Sequence, residues 1–548
     1  MDHPPRDLLS AIARDVIAGF DPRKSITRHG SDFPNTSKLL EELRAHVERE
    51  ATPEARRKIA ESLAKSFPNT FVALDFYCET FKRELKKSSL IRLRSRAASL
   101  QPKSKIATVR LAEALESDGQ TLAALELMRA AIRSGLSDEI LSFKAGYYAN
   151  LSGDLSQALE FYKKALKAEV HHRTLLNMAS AARHIGDFEL SEASSKRAIL
   201  LRPDIWDAYY NRGNLRRETG YVRDAVRQSA RAEKLKPESA SVKWNLSHAL
   251  MASGDFAKGF KVYRDRWFFD GFPTRIRYPG ITNVDSVKGL TGSLFVYCEQ
   301  GVGDNLLFAR FIPKLLEQLP KGVTATFECY QSVLDLLQNS FPQAKIVPFD
   351  KTLREGHDFY LPLFDVPALL GIADMSGQAF PYIVPSPRPE LPTISSSRPK
   401  VGIVWAGNPK FTHDQQRSAK IDDIDGLFEG LNADFYCFQK GRDEGVISER
   451  HPDVVDLAPH LTDFEATAVL MQQMDVVVST CTSTANLAGA LGKKGIVLTG
   501  PARDWRWMTG RTSDWFPSLT ILQRSRTQSW ESFFVDARHE LARILEHI

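Results

Sequence analysis

Three short segments carry side chains whose types and spacing could do chemistry. In Cys298-Glu299-Gln300-Gly301-Val302-Gly303-Asp304-Asn305, the glycines Gly301 and Gly303 would let backbone come close to a ligand, and Asp304 follows where a helix should begin. A carboxylate there can take a proton from an attacking hydroxyl. An aspartate at a helix start is also an ordinary cap, and the motif alone supports both readings. The second segment, Trp405-Ala406-Gly407-Asn408-Pro409-Lys410, leads to Arg417 and Ser418. Its amide and cations, Asn408, Lys410 and Arg417, could meet a nucleotide diphosphate, although the same residues make a plausible solvated turn. In the third, the run DVVVST passes through Cys481 into Thr482-Ser483-Thr484-Ala485. Helix N-termini bind phosphate through unpaired N–H groups, and hydroxyls add donors. Thr482 and Ser483 are therefore candidate phosphate contacts, or simple helix caps.

Such residues need elements to hold them. The apolar runs LFVYCEQ, TATFECY, AKIVPF and DFYLPL, then KVGIVWAG, DFYCFQK, DVVVST and GIVLTG, alternate with helical stretches. They predict parallel strands in two α/β lobes, 293–392 and 393–548, with SSSRP near the hinge. All three candidate segments follow predicted strands, where ligands of such sheets bind. The segment IDDID at 421–425 superficially resembles a metal-binding acidic motif, but it precedes a helical stretch and reads as capping. No metal is expected.

Upstream, glycines recur at Gly119, Gly153, Gly186, Gly220 and Gly254, at intervals of 34, 33, 34 and 34 residues. Seven residues before each stands Ala112, Gly146, Ala179, Gly213 or Ser247, and five after stands Ala124, Ala158, Ser191, Ala225 or Gly259. Small residues in this register suit two closely packed antiparallel helices, with the glycine ending the first in a left-handed conformation. Ala131, Ala165, Ala198 and Ala232 continue the pattern, which Arg266 breaks. The period resembles the tetratricopeptide repeat and covers 104–273. Residues 1–103 lack it and read as a helical capping region; 274–292 reads as a linker. Nine residues before three of the turn glycines stand Asn177, Asn211 and Asn245, where the first two units have Arg110 and Lys144. A primary amide can hold one peptide unit through a donor and an acceptor together. The three asparagines could form a ladder for an acceptor polypeptide, like those lining the concave face of tetratricopeptide-bearing protein glycosyltransferases, or could satisfy backbone between repeats.

With 548 residues, 43% apolar and 26% charged, the chain has the composition of a multidomain globular protein. A net charge of +6 without a basic block argues against a nucleic-acid partner. No run approaches the ~18 apolar residues of a membrane span, so no stable membrane insertion is expected. Five scattered cysteines suggest reduced thiols and a cytoplasmic location.

The EQGVGD, WAGNPK and STANLAGALGK segments together resemble the family 9 (heptosyltransferase-like) glycosyltransferases, especially bacterial chains that join such a module to tetratricopeptide repeats. DWRW from Asp504 and DWFP from Asp514 add to the likeness, which spans about 240–525. The resemblance implies a GT-B fold of two Rossmann-like lobes after an all-α repeat superhelix. It implies an enzyme that inverts the anomeric carbon without a metal, with Asp304 as general base. The donor would lie against Gly301, Gly303, Asn408, Lys410, Arg417, Thr482, Ser483 and Asn486, held mainly by the second lobe. Cys481 and Asn486 stand where the family commonly has Asp and His. The expected co-substrate is a nucleotide sugar, with a CMP-linked nonulosonic acid as one candidate, and no further cofactor. Bacterial flagellin glycosyltransferases are the nearest functional match, implying flagellin as the protein acceptor. Two competing expectations are a non-catalytic repeat adaptor with a decayed transferase module and a glycolipid-core transferase.

Overall fold

Glycine and aspartate together set the repeat turns. In a computed structural model, Gly119, Gly153, Gly186, Gly220 and Gly254 all have φ between 80 and 90°, the left-handed region that the period predicts and that glycine enters without penalty. At three of these turns the next residue is an aspartate. Asp154, Asp187 and Asp255 accept from the backbone N–H three residues on and so start the following helix. The structure describes residues 4, 6–30, 35–136, 138–272, 277–278, 284, 286–350, 355–375, 378, 380–411 and 414–548. The expected linker at 274–292 lies in part outside them. The chain divides into two units, Met1–Pro203 and Asp204–Ile548.

The first unit is helical. Six helices, α1 (Arg6–Ile17), α2 (Pro22–Gly30), α3 (Thr36–Glu50), α4 (Pro53–Ser66), α5 (Phe71–Thr80) and α6 (Lys87–Leu100), precede three antiparallel pairs. These are α7 (Lys105–Ser117) with α8 (Thr121–Arg133), α9 (Glu139–Leu151) with α10 (Leu155–Ala168), and α11 (His172–Ile185) with α12 (Phe188–Leu201). The leading helices share a core of Leu39, Leu40, Leu43, Ile59 and Phe76. Small residues inside the pairs are there for want of room: a Cβ on Gly146 would lie 2.6 Å from the Tyr162 ring. At the ladder position of the first pair, Arg110 joins Arg44 and Arg94 on the buried carboxylate of Asp75. In the second pair Lys144 donates to Glu113 at 2.6 Å.

The second unit opens with two more pairs, α13 (Trp206–Glu218) with α14 (Val222–Leu235) and α15 (Ala240–Ala252) with α16 (Phe256–Tyr263). Two parallel sheets follow. The first contains β1 (Ser293–Tyr297), β2 (Thr324–Cys329), β3 (Lys345–Pro348) and β4 (Phe359–Pro362), in the order β3-β2-β1-β4. Its connections are α17 (Val302–Ala309), α18 (Ile312–Gln318) and α19 (Leu334–Ser340), and α20 (Val366–Leu369) follows β4. The second contains β5 (Lys400–Val404), β6 (Asp434–Cys437), β7 (Val455–Asp456), β8 (Val476–Thr480), β9 (Lys494–Thr499) and β10 (Leu519–Gln523), ordered β10-β9-β8-β5-β6-β7. Here the helices are α21 (Asp414–Arg417), α22 (Ile447–Arg450), α23 (Phe464–Gln472), α24 (Ser483–Ala490) and the terminal α25 (Trp530–Leu545). All eight predicted strands are present, and every pairing between the named strands is parallel. β7 and β10 escaped the sequence reading. Among the described residues no helix is long and apolar enough to cross a membrane.

Strand order fixes where each sheet can hold something. In the first, β1 is flanked by β2 and β4; in the second, β5 is flanked by β6 and β8. Each pair β1/β4 and β5/β8 is a switch point, with a crevice beyond its carboxyl ends. The first crevice is filled. Arg266, the residue that breaks the repeat pattern, is buried there, donating from Nε and Nη2 to Glu299 at 3.0 and 2.5 Å and from Nη1 to Asp365 at 2.5 Å.

Candidate active site

The second crevice is bounded by the loop after β5 and the loop after β8. Arg417 lies between them: Nη1 donates to the Cys481 carbonyl at 3.1 Å, and a Cβ on Gly407 would sit 2.8 Å from Nη2. The guanidinium is packed over the Phe411 ring, 4.2 Å from its centroid. Buried Asp414 organises this corner, accepting from Ser418 Oγ at 2.7 Å and from Arg442 at 2.7 Å, while Ser418 Oγ in turn accepts from Gly407 N at 2.9 Å. Asn408 and Lys410 are exposed, and Asn408 Oδ1 accepts from Lys410 N at 3.0 Å.

Thr482 is the N-cap of α24, but its side chain makes no cap hydrogen bond; its Oγ1 lies 3.3 Å from Ser479 Oγ. Thr482 thus caps α24 through its backbone, its carbonyl accepting from Asn486 N at 3.3 Å, and not through its hydroxyl. Ser483 stands partly exposed at the first turn. Asn486 is buried and turns back on its own helix, Nδ2 donating to the Thr482 carbonyl at 3.1 Å, with Oδ1 unpartnered. Cys481 keeps a neutral thiol: burial pushes it up to about 11, and it accepts from Trp507 Nε1 at 2.9 Å.

Helix α17 packs directly against this terminus. A Cβ on Gly303 would lie 2.9 Å from Asn486 Nδ2 and 3.0 Å from Ser483 Cα, so the glycine permits the approach. The next residue is Asp304. Its Oδ2 accepts from Gly301 N at 3.0 Å, closing the first turn of α17, and its Oδ1 accepts from Arg506 Nη2 at 2.5 Å. Cap and carboxylate at the cleft are thus the same side chain. Arg506 also donates from Nη1 to Asp504 at 2.9 Å and lies over the Trp505 ring. Burial opposes its charge, but Asp304 and Asp504 more than offset that, holding the guanidinium firmly protonated.

Helix α15 adds His248, whose Nδ1 donates to the Trp244 carbonyl at 2.8 Å. Burial and then Arg217 push this imidazole down to about 4, despite Asp504. Gln300 holds an unusual φ of 59°, Nε2 donating to Tyr263 Oη at 2.8 Å while its carbonyl accepts from Tyr330. Non-glycine residues in that region are uncommon and mark a locally constrained loop.

The structure thus gathers Gly301, Gly303, Asp304, Arg417, Thr482, Ser483 and Asn486. The asparagine ladder is uneven. Asn177 is half-buried in the first unit, whereas Asn245 is buried in the second with its Nδ2 unpartnered, beside a Trp244 packed among Tyr263, Phe269 and Phe272. Asn211 is half-buried. Within the acidic segment 421–425, Asp422 and Asp425 pair with Arg450. Arg506, Asp504, His248 and Gln300 were not among the predicted site residues. Arg506 lies 202 positions from Asp304, and no local pattern links them.

Fold and site together define a helical-repeat protein whose last repeats are joined to two parallel sheets. No family model matches the chain. It is similar to Protein FlbA of Caulobacter vibrioides (strain ATCC 19089 / CIP 103742 / CB 15), 24% identical over 413 residues, 69% of this chain and 68% of the relative. Among solved structures it is similar to YrrB, described as a TPR protein with an unusual peptide-binding site, at 17% identity over 32% of this chain and 90% of that one, TM-score 0.27. MamA from Desulfovibrio magneticus RS-1 matches at 17% identity over 30% and 93%, TM-score 0.28.

Proposed function

We propose that the chain is a GT-B glycosyltransferase that moves a sugar from a nucleotide-sugar donor to a Ser or Thr hydroxyl of a protein acceptor, which we infer to be flagellin. One observation carries the reading. At the crevice of the second sheet, an α24 N-terminus that the Thr482 hydroxyl leaves unbonded, flanked by Arg417, faces α17 across Gly303, one residue from the carboxylate of Asp304. A phosphate cradle and a base within one cluster are what sugar transfer needs. The acceptor oxygen attacks the anomeric carbon and its proton passes to Asp304. The bond from that carbon to the phosphate oxygen breaks, and the departing charge settles at α24 and Arg417. To take the proton, Asp304 Oδ1 must be released by Arg506. The neutral thiol of Cys481 adds no negative charge beside the phosphate.

The match to Protein FlbA is long enough that it must include the last repeats and the first sheet, which supports treating repeats and sheets as one working unit. Flagellin rests on the resemblance to bacterial flagellin glycosyltransferases. The deciding experiment is intact-protein mass spectrometry of flagellin from cells carrying the wild-type gene, a deletion or Asp304→Asn. Loss of the same sugar mass in both mutants supports the transferase. Unchanged flagellin mass in the deletion strain rejects it as acceptor. Failure of the purified chain to bind any nucleotide sugar would leave the adaptor reading.

A further inference from the structure

A shallow pocket lies where α13 and α15 meet the connection between β9 and β10, lined by Arg217, Val222, Ala252, Arg503, Asp504 and Gln523, among others. Its charges are unbalanced. Glu218, also on its wall, pairs with Arg526, and Asp504 pairs with Arg506. Among the described residues Arg503 donates only to backbone, to Gly510 O at 2.6 Å and Met508 O at 3.4 Å, and its Nε is buried without a partner. Among the described residues Arg217 makes no ion pair, and its Nε too is buried and unpartnered. The neighbouring Arg216 differs, pairing with Asp224 at 3.0 Å. Two half-buried guanidiniums line one pocket whose acids are already engaged, and buried charge is ordinarily paired. The nearby His248 imidazole is held down first by burial and then by Arg217, against the Trp244 carbonyl and Asp504, with Arg506 adding to the depression.

We propose that Arg217 and Arg503 form an anion subsite at the edge of the last repeats, taking a carboxylate or phosphate group. Asp504 and Arg506 connect its wall to Asp304 through hydrogen bonds of 2.9 and 2.5 Å. An anion held there is linked to the proposed base only through Asp504 and Arg506. Its role in transfer rests on the transferase reading; its existence does not. Two sources supply the chemistry, an acidic side chain of the acceptor polypeptide or an anionic group of the donor.

The test is titration of the full chain with inorganic phosphate and with N-acetyl-aspartate amide, following the His248 ring by NMR. In the wild type, a bound anion offsets Arg217 and moves the His248 midpoint upward. Arg217→Gln and Arg503→Gln should each weaken binding about tenfold or more, and Arg217→Lys should retain part of it. Neither probe moving His248, or equal binding by wild type and both glutamine variants at unchanged thermal midpoint, overturns the proposal. Where transfer is measurable, a raised KM for acceptor at constant kcat assigns the anion to the acceptor, and a raised KM for nucleotide sugar assigns it to the donor. If the chain transfers nothing, the functional reading falls while the anion titration still decides the subsite.

Discussion

Asp304 and Arg506 show how one side chain can serve fold and chemistry together. One oxygen of Asp304 closes α17 and the other faces a cation that must move before the oxygen can accept a proton. Asp304→Asn keeps the amide acceptor for Gly301 but no base, so kcat for sugar transfer should fall ~10²–10⁴-fold, with nucleotide-sugar binding by calorimetry little changed. His248 gives a second residue-level prediction. Folded, it titrates near pH 4; unfolded, near 6.5. Between those values only the unfolded chain binds the extra proton, so stability drops as pH falls through that window. At pH 5 the loss relative to neutral pH is on the order of 2 kcal/mol, and His248→Gln should remove that part of the pH dependence in denaturant titrations of the same chain.

Among the elements, the repeat helices were the most legible because their constraint is local. A left-handed turn admits glycine, and a close helix pair admits only small side chains, so both write a period into the sequence. Gly153→Ala, at φ 87° and open to solvent, should cost about 1–2 kcal/mol. Gly146→Ala should cost more, about 1–3 kcal/mol, and lose cooperativity, since its methyl meets the Tyr162 ring at 2.6 Å and Ala158 O at 3.2 Å; urea unfolding of the two variants compares them directly. Apolar strands feeding glycine-rich loops were legible for a similar reason. β7 is only two residues long and left no apolar run to find, whereas β10, Leu519–Gln523, carries Leu519, Ile521 and Leu522 and was overlooked. The burial of Asn245, whose Nδ2 is unpartnered, is not encoded by the period that marks its position. Arg506 was missed likewise: its partners come together only when both sheets are folded.

At the scale of the molecule, the boundary that matters falls inside the repeat array. The period predicts one block from 104 to 273, and within it α13–α16 group with the sheets in the unit Asp204–Ile548. Arg266 supplies the physical reason, since it occupies the β1/β4 crevice and satisfies two carboxylates buried there. Arg266→Met would leave Glu299 and Asp365 without their shared cation, at a cost of about 3–5 kcal/mol. Arg266→Lys, with a single ammonium in place of the planar fork, should recover little of it. The same geometry governs any test of what the repeats do. Deleting 104–273 removes Arg266 and Tyr263 along with the repeats, so lost transfer would report a damaged sheet rather than lost acceptor recruitment. A chain beginning at Asp204 keeps both residues. It should unfold in one cooperative calorimetric transition and bind nucleotide sugar like the full chain, whereas one beginning at residue 274 should do neither. Equal behaviour of the two truncations would mean that the last repeats do not complete the first sheet.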